Sequence, residues 1–283
     1  MRAGRTTVNS RRSTGGVHNP VIDERPPTRL ELALEHDRAP LIVLLILFPL
    51  VCWSWIVVMA RDMYGPMTGA SAWMMTLQWD ARHVFLLWAM WAVMMVGMML
   101  PSATPMLLMY GVAARRRGLG ARAAHEIYAL AAGYLVVWAL FSLAATAAQR
   151  ILSMRFIVSP MMTLTSPTIG AVLLLLAGVY QVTPLKRVCL QKCQSPLSFL
   201  MHHWRAGIGG AFRMGIDHGT YCVGCCWALM LLLFVGGVMN LAVIAVLTAF
   251  VVFEKIGPFG VHGSRISGAL LIAAGLWMLL ASV

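Results

Sequence analysis

Charge is scarce in this sequence: 283 residues hold 10 Asp and Glu and 22 Lys and Arg, a charged share of 11%. A soluble domain carries about a quarter charged residues, so a water-soluble globule is excluded. What charge there is leans basic, with a net +12. The Lys and Arg punctuate apolar stretches instead of forming a continuous stripe, which excludes a nucleic-acid face and suits loops beside anionic lipid headgroups. No GxxxxGK[ST] pattern is present, which excludes pumping driven by ATP at this chain alone. Histidine is also thin where b-type haem would need it, in facing pairs at mid-span; His83, His125 and His262 all sit near span ends. The basic start is not followed by an apolar core and a small-residue cleavage site, so no cleavable leader is expected.

What is abundant is apolar surface, at 60% of residues and a mean hydropathy of +0.78. Residues 1–39 stand apart, rich in Arg, Pro, Gly and Ser with little to bury, and read as a disordered basic cytosolic tail. Residues 40–283 form a second region, a transmembrane helical domain. Its apolar runs fall at about 40–60, 84–112, 126–148, 168–184, 217–236, 238–254 and 266–282, each near the length that crosses ~30 Å of hydrocarbon. The fold class is therefore all-α, a polytopic transmembrane helix bundle of about seven spans. The fifth and sixth runs are joined only by "GGVMN", which predicts a tight antiparallel hairpin; the sixth is short, and its end at Glu254-Lys255 equally suits a re-entrant turn. With the N-terminus inside, 18 of the 22 Lys and Arg face the cytosol, which sets the orientation. Trp53, Trp55, Trp73, Trp79, Trp88 and Trp91 then gather at the outer end of the first two spans as an aromatic belt.

Of six cysteines, Cys52 lies alone in the first span and reads as a small apolar residue. The other five fall in two groups at the cytosolic face, a reducing compartment where clustered cysteines point to metal or redox chemistry. In "PLKRVCLQKCQSP", Leu185, Val188, Cys189 and Cys193 share one helical face, and Lys186, Arg187, Gln191, Lys192 and Gln194 fill the other. This predicts a short amphipathic interfacial helix with two thiols one turn apart, its Lys and Arg favouring thiolate. In "GIDHGTYCVGCCWALM", His218, Cys222, Cys226 and Met230 step by four, and Cys225 follows Cys222 by three. Thiolate, thioether and imidazole on one stripe form the soft ligand set of Cu(I), with Zn(II) next. Asp217 is placed to orient His218. Gly215, Gly219 and Gly224 let another backbone come close. One intramembrane cysteine reads best as a packing residue; five on one side at one-turn spacings read better as ligands.

Methionine supplies 21 residues. In the second run, Met90, Met94 and Met98 form one helical row, with Met95 and Met99 beside it. These rows fit an apolar core, the usual role of a Met stripe, or else a thioether route for a soft cation toward the thiols. Pro101 and Pro105 remove backbone hydrogen bonds inside a span, so "LPSATP" reads as a kink or broken turn lining a path, with Ser102 and Thr104 placed to take the freed groups. Gln181, Glu254 and Lys255 are polar groups near the cysteine end and candidates for the path; the last two also suit a snorkelling pair that ends a helix. His202 and His203 read as interfacial.

The stretches "MMVGMMLPSATPMLLMY", "GYLVVWALFS", "AGVYQVTPLKRVCLQKCQSPLSFL" and "GTYCVGCCWALMLLLFVGGVMNLAVIAVLTAFVVFEK" together resemble a bacterial family of predicted metal-binding integral membrane proteins, catalogued as a domain of unknown function. The similarity covers about residues 84–256. It implies a multi-pass inner-membrane protein that binds metal, and it matches at Cys189, Cys193, Cys222, Cys225, Cys226, Pro101, Pro105, Gln181, Pro184, Glu254 and Lys255.

The reading that results is metal transport or delivery, not enzyme catalysis. Copper as Cu(I) leads, with zinc or an iron–sulfur cluster next. The surroundings are the lipid bilayer, the partner a cytosolic metal carrier or a membrane metalloenzyme, with an oligomer allowed and nucleic acid excluded. One alternative is a membrane thiol redox protein, which suffers from the want of outer-face cysteines to accept electrons. Others are a haem or iron–sulfur subunit and an assembly subunit without chemistry of its own.

Overall fold

The computed structural model describes residues 41, 43–65, 80–118, 122–159, 162–257 and 260–281. The expected tail at 1–39 lies outside them, as do Trp73 and Trp79 of the expected aromatic belt. A π-helical turn, Val43–Leu47, leads into α1 (Phe48–Met63). Then follow α2 (Ala81–Arg116), α3 (Arg122–Met154), α4 (Pro167–Val182), α5 (Pro184–Gln194), α6 (Pro196–His203), α7 (Gly207–Gly236), α8 (Leu241–Ile256) and α9 (Gly260–Ala281). Among the described residues the only extended pairing is an isolated bridge between Val158 and Leu164.

Each of the seven apolar runs is a helix, but their lengths differ. Five are long and apolar enough to cross a membrane: Leu44–Met63, α2, α3, α7 and α9. A sixth counts if α4 and α5, bent by 64°, are one broken span. The 16 residues of α8 reach only about 24 Å, short of a ~30 Å hydrocarbon core. The expectation of seven spans thus becomes five or six by length. The helix α7 also starts at Gly207, ten residues ahead of the expected 217, so much of the supposed inner loop is helical.

Local chemistry explains the breaks. Pro184 cannot accept an α-helical residue before it without a clash, and Thr183 is accordingly extended at ψ 150. Its hydroxyl donates to the Tyr180 carbonyl at 2.7 Å and accepts from the Lys186 N–H at 3.3 Å, so the 64° corner is hydrogen-bonded on both sides. After α7, Gly237 takes φ +92, a left-handed value that glycine reaches without strain. Asn240 then caps α8, accepting from Ala242 N at 3.1 Å and Val243 N at 3.4 Å. Past this turn α8 packs chiefly against α2, not along α7 as a tight hairpin would.

The helix α2 runs unbroken through Pro101 and Pro105, which corrects the expected broken turn. Pro101 has no N–H for the Gly97 carbonyl, and the Trp53 indole N–H takes that acceptor at 3.2 Å. Ser102 and Thr104 bond to Met99 O at 2.7 Å and Leu100 O at 3.4 Å, not to the carbonyls the prolines free.

Small residues hold the bundle. A Cβ on Gly133 or Gly215 would collide with the Phe212 or Leu130 carbonyl, so α3 and α7 touch backbone to backbone. Gly178 and Gly268 do the same for α4 and α9, each 2.9 Å from the other's carbonyl if given a Cβ. Cys52 packs its Cβ against Gly97 of α2, the apolar filler expected of it. The exterior is apolar, with Leu140, Leu176, Leu270 and Leu280 exposed, while Lys186, Glu254, Lys255, Glu126 and Gln149 are buried. Apolar-out and polar-in is the arrangement a hydrocarbon solvent selects.

The connections sort to two ends. Past α3, Leu164 N donates to Phe234 O of α7 at 3.3 Å, and Val238 N of the α7–α8 turn donates to Met162 O at 3.2 Å. At the other end Arg117 lies 3.9 Å over the Trp204 ring, and Gln194 donates to the Glu254 carbonyl at 2.8 Å.

Candidate metal centre

The two cysteine segments meet. Cys193 Sγ of α5 stands 3.9 Å from Cys225 Sγ of α7, and Cys225 Sγ is 3.3 Å from Cys226 Sγ. The Cys225 and Cys226 thiols also reach Cys222, as spacings of three and four on a helix require. Cys189 Sγ lies over Gly224, where a Cβ would come within 2.8 Å of it. Tyr180 of α4 fastens the same point by donating to the Gly224 carbonyl. Gly224 therefore admits a thiol, whereas Gly215 and Gly219 admit α3, the close approach foreseen for all three. All the described cysteines are free, and Cys222, Cys225 and Cys226 are buried.

The inward face of α5 differs from the expected one. Lys186 and Leu190 are fully buried while Leu185 and Val188 are exposed, so the face toward α7 and α8 carries Lys186, Cys189, Leu190 and Cys193. The exposed apolar pair suits lipid, and the lysine turns in because a carboxylate waits for it. Its Nζ is 2.9 Å from both oxygens of Glu254, each side chain fully buried.

Next to Glu254, Lys255 points at the thiols. Its Nζ donates to Cys222 Sγ at 2.8 Å and to Ser102 Oγ at 3.1 Å. Glu254 and Lys255 are thus an interior pair with separate partners, not a snorkelling end to α8. Tyr134 of α3 adds a hydroxyl 3.0 Å from Cys222 Sγ while donating to the Met99 carbonyl at 3.1 Å. Cys222 Sγ thus lies within contact of an ammonium and a phenol oxygen, each from a different helix. Tyr134, Ser102 and Lys186 escape a reading by local period. Lys186 alone left a signal, its i, i+3, i+4, i+7 relation to Cys189, Leu190 and Cys193.

His218 is buried one turn before Cys222, its ring between Tyr134 and Phe199, with Nδ1 lacking a hydrogen-bond partner. Asp217, expected to orient it, instead pairs with Arg205 at 3.6 Å near the surface; neighbouring helix positions point about 100° apart. Met230 is buried on the same stripe, and Met94 and Met98 are buried in the same apolar core as Cys222, Cys225 and Cys226. The Met98–Met99 turn of α2 abuts the thiols through Met99 O, Tyr134 and Cys222. Gln181 belongs elsewhere, joining α4 to α9 by donating to Ser267 at 2.9 Å. His202 bonds back to Ser198 O at 2.7 Å and His203 stacks on Phe199; neither approaches the thiols through any of these contacts.

Among the described residues no three His, Cys, Asp or Glu side chains stand as a ready coordination sphere. Two sulfurs bound tetrahedrally to one ion at ~2.3 Å lie about 3.8 Å apart, close to the 3.9 Å between Cys193 and Cys225. No curated protein and no solved structure matches the chain. The family model PpoB2, described as a copper chaperone, matches residues 88–278, well over half of the sequence and nearly all of the helices that build this centre, and the chain belongs to that family.

Proposed function

We propose that this protein is an integral membrane carrier of Cu(I), which it holds between thiols of α5 and α7 and passes to another protein. Membership of a copper chaperone family supports copper as the cargo. The observation that carries the reading is the approach of Cys193 to Cys225 across two helices at 3.9 Å, with Cys226 and Cys222 alongside. Thiolates keep soft monovalent copper in preference to hard cations. His218 and Met230, on the same stripe as Cys222, are its auxiliary ligands, and the buried rows through Met94 and Met98 are its route. By the placement of Lys and Arg the thiol end faces the cytosol of a bacterial inner membrane, so the recipient or donor is a cytosolic carrier, or a metalloenzyme in the same membrane.

Elemental analysis of the purified chain under reducing conditions tests this. About one copper per chain is expected, and Cys222→Ser with Cys226→Ser should remove it. A wild-type chain that reversibly loses two thiols on mild oxidation and binds no copper would sink the proposal in favour of redox chemistry, for which the Cys222-Val-Gly-Cys225 spacing is also suited.

A further inference from the structure

The start of α2, at the end of that helix away from Arg117, carries a recess of its own. A cavity of about 420 Å³ opens between the first turns of α2 and the last turns of α3. Asp80, Ala81, Val84, Phe85 and Trp88 line one side, and Leu143 and Arg150 the other. Its volume falls in the range of about 300–1,000 Å³ usual for small-ligand sites. The walls are layered. Asp80 caps α2, and Arg150 stands about two turns past Leu143 toward the end of α3, so both charges sit at the rim. Trp88, deeper along α2, donates its indole N–H to the Ala139 carbonyl at 3.1 Å, which fixes the ring as the floor. Phe85 packs beside it, with ring centroids 5.7 Å apart. Phe85 and Leu143 are themselves exposed, so the recess opens sideways onto the apolar exterior of the bundle.

We propose that this recess binds the headgroup of an aminophospholipid, phosphatidylethanolamine, from the leaflet on that side of the membrane. The occupant has to be amphiphilic, because the apolar walls run out onto the surface that faces hydrocarbon. Its head has to carry both signs, because one carboxylate and one guanidinium share the rim. The Arg150 guanidinium suits a phosphate, which it meets with a planar fork of N–H donors. Asp80 uses Oδ1 to accept from the His83 N–H at 2.8 Å, and its second oxygen is placed to accept from a primary ammonium. A head that is anionic only, as in phosphatidylglycerol, meets repulsion from Asp80. A trimethylammonium head, as in phosphatidylcholine, brings the positive charge but no N–H to donate. The acyl chains then lie along Phe85, Trp88 and Leu143 and leave into the bilayer.

The test is a titration of the delipidated full chain in maltoside detergent, read by native mass spectrometry. Short-chain phosphatidylethanolamine, phosphatidylcholine and phosphatidylglycerol are offered in turn. The wild type should bind the ethanolamine lipid on the order of 10-fold more tightly than either of the others, the scale of one charge-assisted hydrogen bond. Asp80→Asn keeps the cap on α2, since asparagine caps a helix as well as aspartate, and should erase the difference between ethanolamine and choline. Arg150→Gln should weaken all three by a similar factor. Equal wild-type affinity for the ethanolamine and choline lipids overturns the proposal, as does tighter binding of the glycerol lipid. So does an Asp80→Asn chain that keeps the ethanolamine preference, or an Arg150→Gln chain that binds like the wild type. Should a variant fail to fold, the wild-type ranking decides alone. None of these readouts needs copper, so failure of the carrier proposal leaves this one standing.

Discussion

At the scale of single residues, the thiols owe their arrangement to side chains that are absent as much as to those present. Gly224 has room only for hydrogen, because Cys189 Sγ occupies the space a Cβ would take. Gly224→Val should force α5 off α7 and overpack the seam, at about 1–3 kcal/mol. The expected outcome is a lower thermal midpoint together with loss of bound copper, whereas Gly209→Ala on the same helix, where a Cβ meets open space, should leave both unchanged. The mutual approach of the thiols was legible from spacing, since steps of three and four put Cys222, Cys225 and Cys226 on one stripe. Tyr134 and Ser102 were not. Each sits on a different helix, and no local period says which turn of α3 or α2 will meet α7.

Among elements, α5 is the instructive case. Its helical nature was plain between Pro184 and Pro196, yet its register toward the bundle was misjudged by about one residue. An amphipathic pattern assigns lysine to water, and that rule fails where a carboxylate on another helix offers a better partner. The Lys186–Glu254 pair ties α5 to α8 through opposite charges, both side chains fully buried. Lys186→Met alone should destabilise by about 3–5 kcal/mol, because it strands Glu254 in a dry interior. The double change with Glu254→Met should recover most of that loss, and unfolding of both variants in detergent checks the difference. The helix α2 teaches the converse. Two prolines suggested a kink or broken turn, but tertiary contact supplied an acceptor's missing donor in Trp53, and the helix runs on without a break.

For the whole molecule, the two ends carry different chemistry and should face different compartments. Phe156, 85% exposed on the α3–α4 connection, lies at the end opposite Arg117 and Trp204. In intact cells a membrane-impermeant maleimide should label Phe156→Cys, while Arg117→Cys should react only after permeabilisation; the reverse pattern would turn the orientation over. Composition and periodicity by themselves determined that the chain is helical, where its seven apolar helices lie, and that sulfur gathers near one end. Those properties follow from hydropathy and from the 3.6-residue turn, both local. Only the tertiary structure decided that Cys193 faces Cys225, that Lys186 and Lys255 lie inside instead of in headgroup loops, and that α8 stops short of a full crossing. Such outcomes depend on which faces meet, and in a membrane that choice is made by close small-residue packing and by buried polar groups finding partners on other helices.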